Sequence, residues 1–381
     1  MAQRELLENA LNKARRILAE LEIQAAGYTS LNLPAHHKIE IEDKQLEIAS
    51  LEERLSKLDQ AETPLVPSSQ KYHELAGHYS AILDTLLDGQ LVFYMGRAVN
   101  RIEEIDEGIS GDQRVAARLI KTFLPANGSN QELTRVAQQI AVLKSLGELY
   151  DVVKQEVATE DTPNHLHHFL AALPAILKAK GCLQPYQLIV TSNYDDLLEQ
   201  AFEQAKEPFD LVAYIAEGKD FGKFRHWAPG DNRGRLIDIG NEYNALSLRQ
   251  RSIIFKVVGA VKRADPLSNR YMITEDHFIR FLNGNGIENA VPATILDKLR
   301  NSRLLFLGQG TQDWNQRLVL LRLLEDEEFS YPAWAIQTEM TQEDLRYWRK
   351  LEAEPICYPL KQYIQGLWQQ LEEFAPPGGD K

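Results

Sequence analysis

Three features of the chain predict a doubly wound α/β fold: short apolar runs, a Gly, Asn or Asp that ends several of them, and helical periodicity after each. The runs fall at residues 91–95, 187–191, 253–258, 304–307 and 333–336. They are close to uniformly apolar, the pattern of strands buried on both faces of a mostly parallel sheet rather than half-exposed ones. The intervening helical segments then belong on both faces of that sheet. Ligands in such folds bind beyond the carboxyl ends of the strands, where strand order reverses. Attention therefore falls on residues 96–100, 192–196, 259–260 and 308–315.

Ahead of this body, residues 1–60 are expected to form a helical hairpin. Leu6, Leu7, Ala10, Leu11, Ala14, Ile17, Leu18 and Leu21 recur at steps of three and four, which puts them on one helical face. Gly27 is a natural C-cap, and beyond Pro34 a second helix carries Ile41, Leu46, Ile48, Leu51, Leu55 and Leu58 among Glu and Lys. A pair this short buries little by itself, so its stripe is expected to pack on the body or on another protomer. Pro64, Pro67 and their polar neighbours mark residues 61–71 as a linker. The α/β domain is expected over 72–374, with helical insertions near 110–180 and a disordered tail at 375–381.

Composition excludes several classes. The 381 residues carry a formal net charge of −13, which works against phosphate-backbone binding, so nucleic acid is not an expected partner. No apolar run approaches the ~20 residues of a bilayer span, and the Met1-Ala-Gln-Arg-Glu start has no signal-peptide core. A cytoplasmic location without membrane association is the expectation. Cys182 and Cys357 are the only cysteines, without ligand spacing, so neither a disulfide framework nor a metal is expected.

Among the candidate segments, Gly96 after the first run can let the backbone approach a phosphate or ribose. Asn193, in Thr191-Ser192-Asn193-Tyr194-Asp195-Asp196, suits a ribose hydroxyl or a positioned water, while the aspartates suit a helix N-cap. Asp313 is expected to cap, Trp314 to pack, and Asn315 is a further ligand candidate. His226 is expected in a loop that reaches over the site, and His277 beside Phe278. The cluster of His165, His167 and His168 continues into an apolar helix, and no carboxylate or Cys accompanies it at metal-ligand spacing.

Five segments in order carry a resemblance: Leu91-Val-Phe-Tyr-Met-Gly-x-Ala-Val-Asn100, Ile189-Val-Thr-Ser-Asn-Tyr-Asp-Asp-Leu-Leu-Glu-x-Ala-Phe202, Phe255-Lys-Val-Val-Gly-Ala-Val261, Ile273-Thr-Glu-Asp-His-Phe278, and Leu305-Phe-Leu-Gly-x-x-x-x-Asp-Trp-Asn315. Over about 90–370 the chain resembles the sirtuin-like domains of bacterial effectors. Gln24-Ala-Ala-Gly27-Tyr28 and Pro34-Ala-His36 resemble short modules placed ahead of bacterial conflict-system effectors. The resemblance implies a Rossmann-like fold, NAD as substrate or ligand, and in many members hydrolysis of NAD to nicotinamide and ADP-ribose in anti-phage defence. It places Asn193 at the catalytic Asn, and implies cofactor contacts at Gly96, Arg97, Ala98, Asn100, Thr191, Ser192, Asp195, Gly259, Gly308 and Asn315. Cleavage of the glycosidic bond needs a held ribose, excluded water and stabilised positive charge.

Two departures bear on activity. The family's Lys-x-His-Gly is Lys256-Val257-Val258-Gly259, so the expected histidine is Val258. Loss of a general base typically costs about 10²–10⁴-fold in rate. The family's Gly-Ala-Gly is Gly96-Arg97-Ala98, and Arg97 either clashes with a pyrophosphate or pairs with it. Two functions follow: a catalytically impaired binder of NAD or ADP-ribose in a defence assembly, or an NAD glycohydrolase effector that is weak, depends on assembly or replaces the missing histidine, with His226 a candidate for that replacement. A homo-oligomer or a defence-system protein is the expected partner.

Overall fold

The computed structural model describes residues 75–101, 111–124, 132–160, 162–261, 270–284, 289–324 and 331–374, with positions 11, 13–18, 21, 41, 44 and 48 of the N-terminal segment. Those N-terminal positions are helical, and Leu11 and Ala14 of the predicted stripe are buried. The remainder of the hairpin, the linker at 61–71 and the tail at 375–381 lie outside the described residues. The chain divides into two compact units, residues 1–65 with 340–345, and residues 66–339 with 346–381.

The larger unit is built on a nine-stranded sheet. Its strands are β1 (Leu91–Met95), β2 (Leu188–Thr191), β3 (Phe209–Tyr214), β4 (Phe224–Trp227), β5 (Arg235–Ile237), β6 (Ser252–Lys256), β9 (Arg303–Leu307), β10 (Ala333–Gln337) and β11 (Ala353–Cys357). A separate two-stranded ribbon joins β7 (Gly259–Ala260) to β8 (Arg270–Tyr271). The spatial order is β11-β10-β9-β1-β2-β6-β3-β4-β5, parallel from β11 to β3 and antiparallel through β4 and β5. The five predicted runs are all strands. The edge strands were less visible: Glu354 and Pro355 interrupt the apolar run of β11, which an edge position tolerates.

Helices α1 (Leu75–Leu87), α5 (His165–Ala179), α6 (Leu197–Gln204) and α11 (Leu360–Glu373) share one core with β1, through Leu83, Phe93, Phe169, Phe202 and Leu367. Helices α2 (Gly111–Phe123), α3 (Leu133–Leu143), α4 (Leu146–Glu160), α7 (Glu275–Asn283) and α9 (Trp314–Leu324) pack on one another as a second group. Neighbouring residues of β1 point to opposite faces: Phe93 packs edge-on against Phe169 at 6.3 Å, while Tyr94 meets Phe306 at 5.1 Å. Helices α8 (Ala293–Arg300) and α10 (Gln342–Lys350) complete the described set. Among the described residues no helix is long and apolar enough to cross a membrane.

The central strand β1 lies between β2 and β9, and the chain builds outward from it in opposite directions, so strand order reverses between β1 and β9. Register aligns Lys256, Thr191, Met95 and Leu307 in one row across β6, β2, β1 and β9. The segments singled out in the sequence leave the sheet together at that row. Gly96 and Gly308 join there, with Gly96 N–H donating to Leu307 O at 2.9 Å and Ala98 N–H to Gly308 O at 3.1 Å. A Cβ on Gly96 would stand 2.3 Å from Gln309 Cα and 2.4 Å from Gly308 O. Gly308 itself has φ +62°, which only glycine adopts without strain.

Gly96→Ala is therefore expected to lower unfolding stability by at least about 2 kcal/mol in urea titration, because backbone must move to admit the methyl. Gly77→Ala in α1, where a Cβ meets nothing within 4 Å, is expected to be neutral or to stabilise by about 0.4–1 kcal/mol.

Candidate functional site

The turn after β2 is stitched to the end of β1. Ser192 N–H and Thr191 Oγ1 both donate to Met95 O, at 3.1 and 3.2 Å, and Thr191 Oγ1 accepts from Asn193 N–H at 3.0 Å. Buried Asn193 directs its Nδ2 to Gly96 O and Asn100 Oδ1, each at 3.3 Å. Asn100 Nδ2 in turn donates to Asp195 Oδ2 at 2.8 Å, and Asp195 Oδ1 accepts Leu197 N–H at 3.1 Å from the position before the N-cap, which is Asp196. Asn193, Asn100 and Asp195 thus form one partly buried chain of hydrogen bonds across the ends of β1 and β2. With both amide hydrogens of Asn193 spent inward, its carbonyl oxygen is the atom suited to accept from a hydroxyl.

An ammonium supports this turn from below. Lys256, 1% exposed at the end of β6, donates to Asp195 O and pairs with Glu199 Oε1 at 2.8 Å. Burial pushes the Glu199 carboxyl up to about 7, against the opposing pull of Lys256, and Glu199 Oε2 is buried without a hydrogen-bond partner. In Lys256-Val257-Val258-Gly259 the missing histidine is the visible departure, but the lysine is the residue that holds the turn. A lysine ending a buried strand requires a counter-charge, and Glu199, one turn into α6, is that partner.

Val258 is 1% exposed, and its carbonyl accepts Met272 N–H at 2.7 Å. Gly259 opens the β7 ribbon opposite Tyr271. Tyr271 stacks on Tyr194 at 4.6 Å with 15° between the rings, and the Arg97 guanidinium lies 5.8 Å from the centroid of Tyr194. Arg97 Nη1 pairs with Asp112 Oδ2 at 2.5 Å. Burial opposes the Arg97 charge, but Asp112, Tyr194 and Asp313 outweigh it and raise the guanidinium above its ordinary range. Ala98 is exposed. The volume that Gly96 leaves free is filled by residues 308 and 309, so it is loop against loop, and not an opening to the crevice.

One histidine expectation is revised, and two other histidines prove to cap helices. His226 stands on β4, not in a loop, with Nδ1 2.6 Å from Tyr243 Oη and Nε2 2.8 Å from Asp210 Oδ1. Strands β3 and β6 separate β4 from β2, so the fold does not bring His226 to Asn193. His277 completes a capping box with Thr274, and its Nε2 meets Glu217 Oε1 at 3.1 Å. His167 does the same with Asn164 at the start of α5, accepting Asn164 N–H on Nδ1 at 3.1 Å. Its imidazole is pushed down to about 4, by burial first, although Asp195 favours the charged form. Asn-x-x-His and Thr-x-x-His are the signals that were available, since His at N3 can take the place of Glu in a capping box.

After β9, Asp313 Oδ2 accepts from Gln316 Nε2 at 3.0 Å, and Trp314 packs on Phe278 at 5.9 Å. Asn315 Nδ2 reaches Thr134 Oγ1 at 3.5 Å. Asn315 Oδ1 and Gln309 Oε1 are buried without a partner among the described residues.

Residues 187–356 match the family model of the SIR2-like domain. The match begins at the edge of β2 and ends within β11; the central strand β1 lies outside it, yet pairs with β2 and β9 on either side. No curated protein matches the chain. A SIR2-like domain implies an NAD-related ligand. Such a ligand requires partners for ribose hydroxyls and for a diphosphate. The Asn193 chain and the orphaned oxygens of Gln309 and Asn315 suit hydroxyl and base donors. For the diphosphate the backbone contributes less: Gly96 and Ala98 N–H are already spent, which leaves Arg97 as the cation at that place. Among the described residues no group of three or more His, Cys, Asp or Glu could hold a metal ion.

The Glu199 carboxyl lies above its ordinary value of 4.5, so its contribution to stability is full below about pH 4.5 and is lost as pH rises through about 7. Relative to Glu199→Gln, which does not titrate, the natural chain is expected to lose about 1–3 kcal/mol between pH 4.5 and 8 in parallel denaturant titrations. A constant difference would show that the carboxyl is not raised.

Proposed function

We propose that this chain is a sirtuin-like module that binds NAD or ADP-ribose in a bacterial defence system and is catalytically impaired. Val258 carries the reading. At the place of the expected histidine it offers a buried hydrocarbon, which neither accepts a proton nor binds a ribose hydroxyl. The nearby histidine is a poor substitute: with His167 Nδ1 accepting a backbone N–H, the other nitrogen of the neutral ring bears the proton, so it donates where a base must accept.

In this reading Asn193 Oδ1 accepts from the nicotinamide-side ribose, with Asn100 and Asp195 holding its amide in place. Thr191 and Ser192 fix the turn, Gly259 and Gly308 shape the walls, Asn315 faces the adenosine half, and Arg97 meets the diphosphate. The N-terminal stripe is assigned to self-association or to a defence partner, in the cytoplasm. The Asn193–Asn100–Asp195 chain favours one alternative, an active NAD glycohydrolase, because a binder that needed no oriented ribose would have little use for it.

Incubation of the full chain with NAD, followed by chromatography of nicotinamide, separates the two. The natural chain is expected to release none above background, Val258→His to gain turnover, and Asn193→Ala to stay silent. Turnover by the natural chain that vanishes in Asn193→Ala would establish the hydrolase instead.

A further inference from the structure

We infer that Asp112 sets the ligand preference of the Asn193 site, by competing with a ligand's phosphate for Arg97. The inference rests on the nucleotide-binding reading above and adds a residue outside the sequence motifs.

Arg97 follows Gly96 at the carboxyl end of the central strand, beside the point where strand order reverses between β1 and β9. In a fold that cradles a diphosphate with backbone N–H groups, the first residues after this strand are the donors. Here Gly96 N–H is bonded to Leu307 O and Ala98 N–H to Gly308 O, so the task passes to the guanidinium. That guanidinium is not idle: Asp112, in the first turn of α2, holds Nη1 at 2.5 Å, while the Tyr194 ring lies beneath it. A carboxylate and a phosphate oxygen ask for the same planar donors in the same geometry.

Exposure decides that the exchange is possible. The Arg97 and Asp112 side chains are 17% and 29% exposed, against 1% and 9% for the Lys256–Glu199 pair. A ligand can therefore reach the first pair and cannot reach the second. A dianionic diphosphate seated beside an ionised Asp112 would face like charge at short range, so its binding and the Arg97–Asp112 contact exclude each other. Apparent affinity for phosphorylated ligands is lowered by the fraction of molecules in which Asp112 holds Arg97, whereas a ligand without phosphate is indifferent to it.

The test is calorimetric titration of ADP-ribose and of adenosine into the full natural chain, Asp112→Asn, Asp112→Glu and Arg97→Met, each checked for a native melting transition. Asp112→Asn is expected to bind ADP-ribose roughly tenfold tighter, the loss of one charge-assisted competitor, with adenosine unchanged. Asp112→Glu should resemble the natural chain, and Arg97→Met should lose the preference for ADP-ribose over adenosine. Should Asp112→Asn not fold, Asp112→Ser removes the same charge. Binding of ADP-ribose by the natural chain without tightening in the uncharged variants, or with equal tightening of adenosine, overturns the inference alone. No binding of ADP-ribose by any variant overturns the nucleotide reading and the inference with it.

Discussion

The approach of Gly96 to Gly308 and Gln309 is the constraint from which the rest of the site follows. With a Cβ excluded by 2.3 Å of separation from Gln309 Cα, the loops after β1 and β9 can lock backbone to backbone across the point where strand order reverses. That lock consumes N–H groups of Gly96 and Ala98 in the fold itself. The switch point of a doubly wound sheet elsewhere presents such groups to a ligand, so in the proposed reading the positive charge comes from a side chain. Arg97 is the next residue, and its engagement by Asp112 and Tyr194 follows from its being a cation in a half-buried place.

A second layer holds the other wall. The turn that bears Asn193 has its backbone tied to Met95 and its Asp195 carbonyl held by Lys256. Lys256 is tolerable at 1% exposure because Glu199 neutralises it and the Asp195 carbonyl takes another of its protons. Breaking either side of this arrangement leaves a buried charge, so the geometry of Asn193 and the stability of the sheet end are the same matter. Val258, two residues beyond Lys256, lies against the small β7 ribbon as ordinary core. Lys256, which holds the Asn193 turn, and Val258, at the place of the expected histidine, thus lie within three residues of chain.

Much of the fold was legible because parallel strands are buried on both faces and so leave uninterrupted apolar runs. The strands that went unseen are those at or near the edges, where Glu354 and Pro355 are admissible in β11 and His226 alternates with core residues in β4. His226 illustrates the difficulty: Phe224-Arg-His-Trp227 follows Gly222 and carries two polar residues, which reads as loop until Val212 and its neighbours supply the pairing. Asn193 and Asn100 were legible as candidates because polar side chains directly after a buried strand have few structural reasons to be there. Glu199 and Asp112 were not, since an acidic residue in the first turn of a helix is ordinary in any sequence.

The amino-acid sequence by itself determined the α/β class, the five central strands, the level at which they end, and the replacement of a histidine by Val258. These depend on local pattern and on residue identity, which need no knowledge of neighbours. Only the tertiary structure decided that Asp112 holds Arg97, that Glu199 answers Lys256, that two strands separate the strand of His226 from that of Asn193, and that a Cβ on Gly96 would meet the loop at 308–309. Those outcomes join residues 15 to 213 positions apart, or 57 in the case of the lysine, and a pairing at such range is fixed by how helices and loops close over the sheet, which no local pattern encodes.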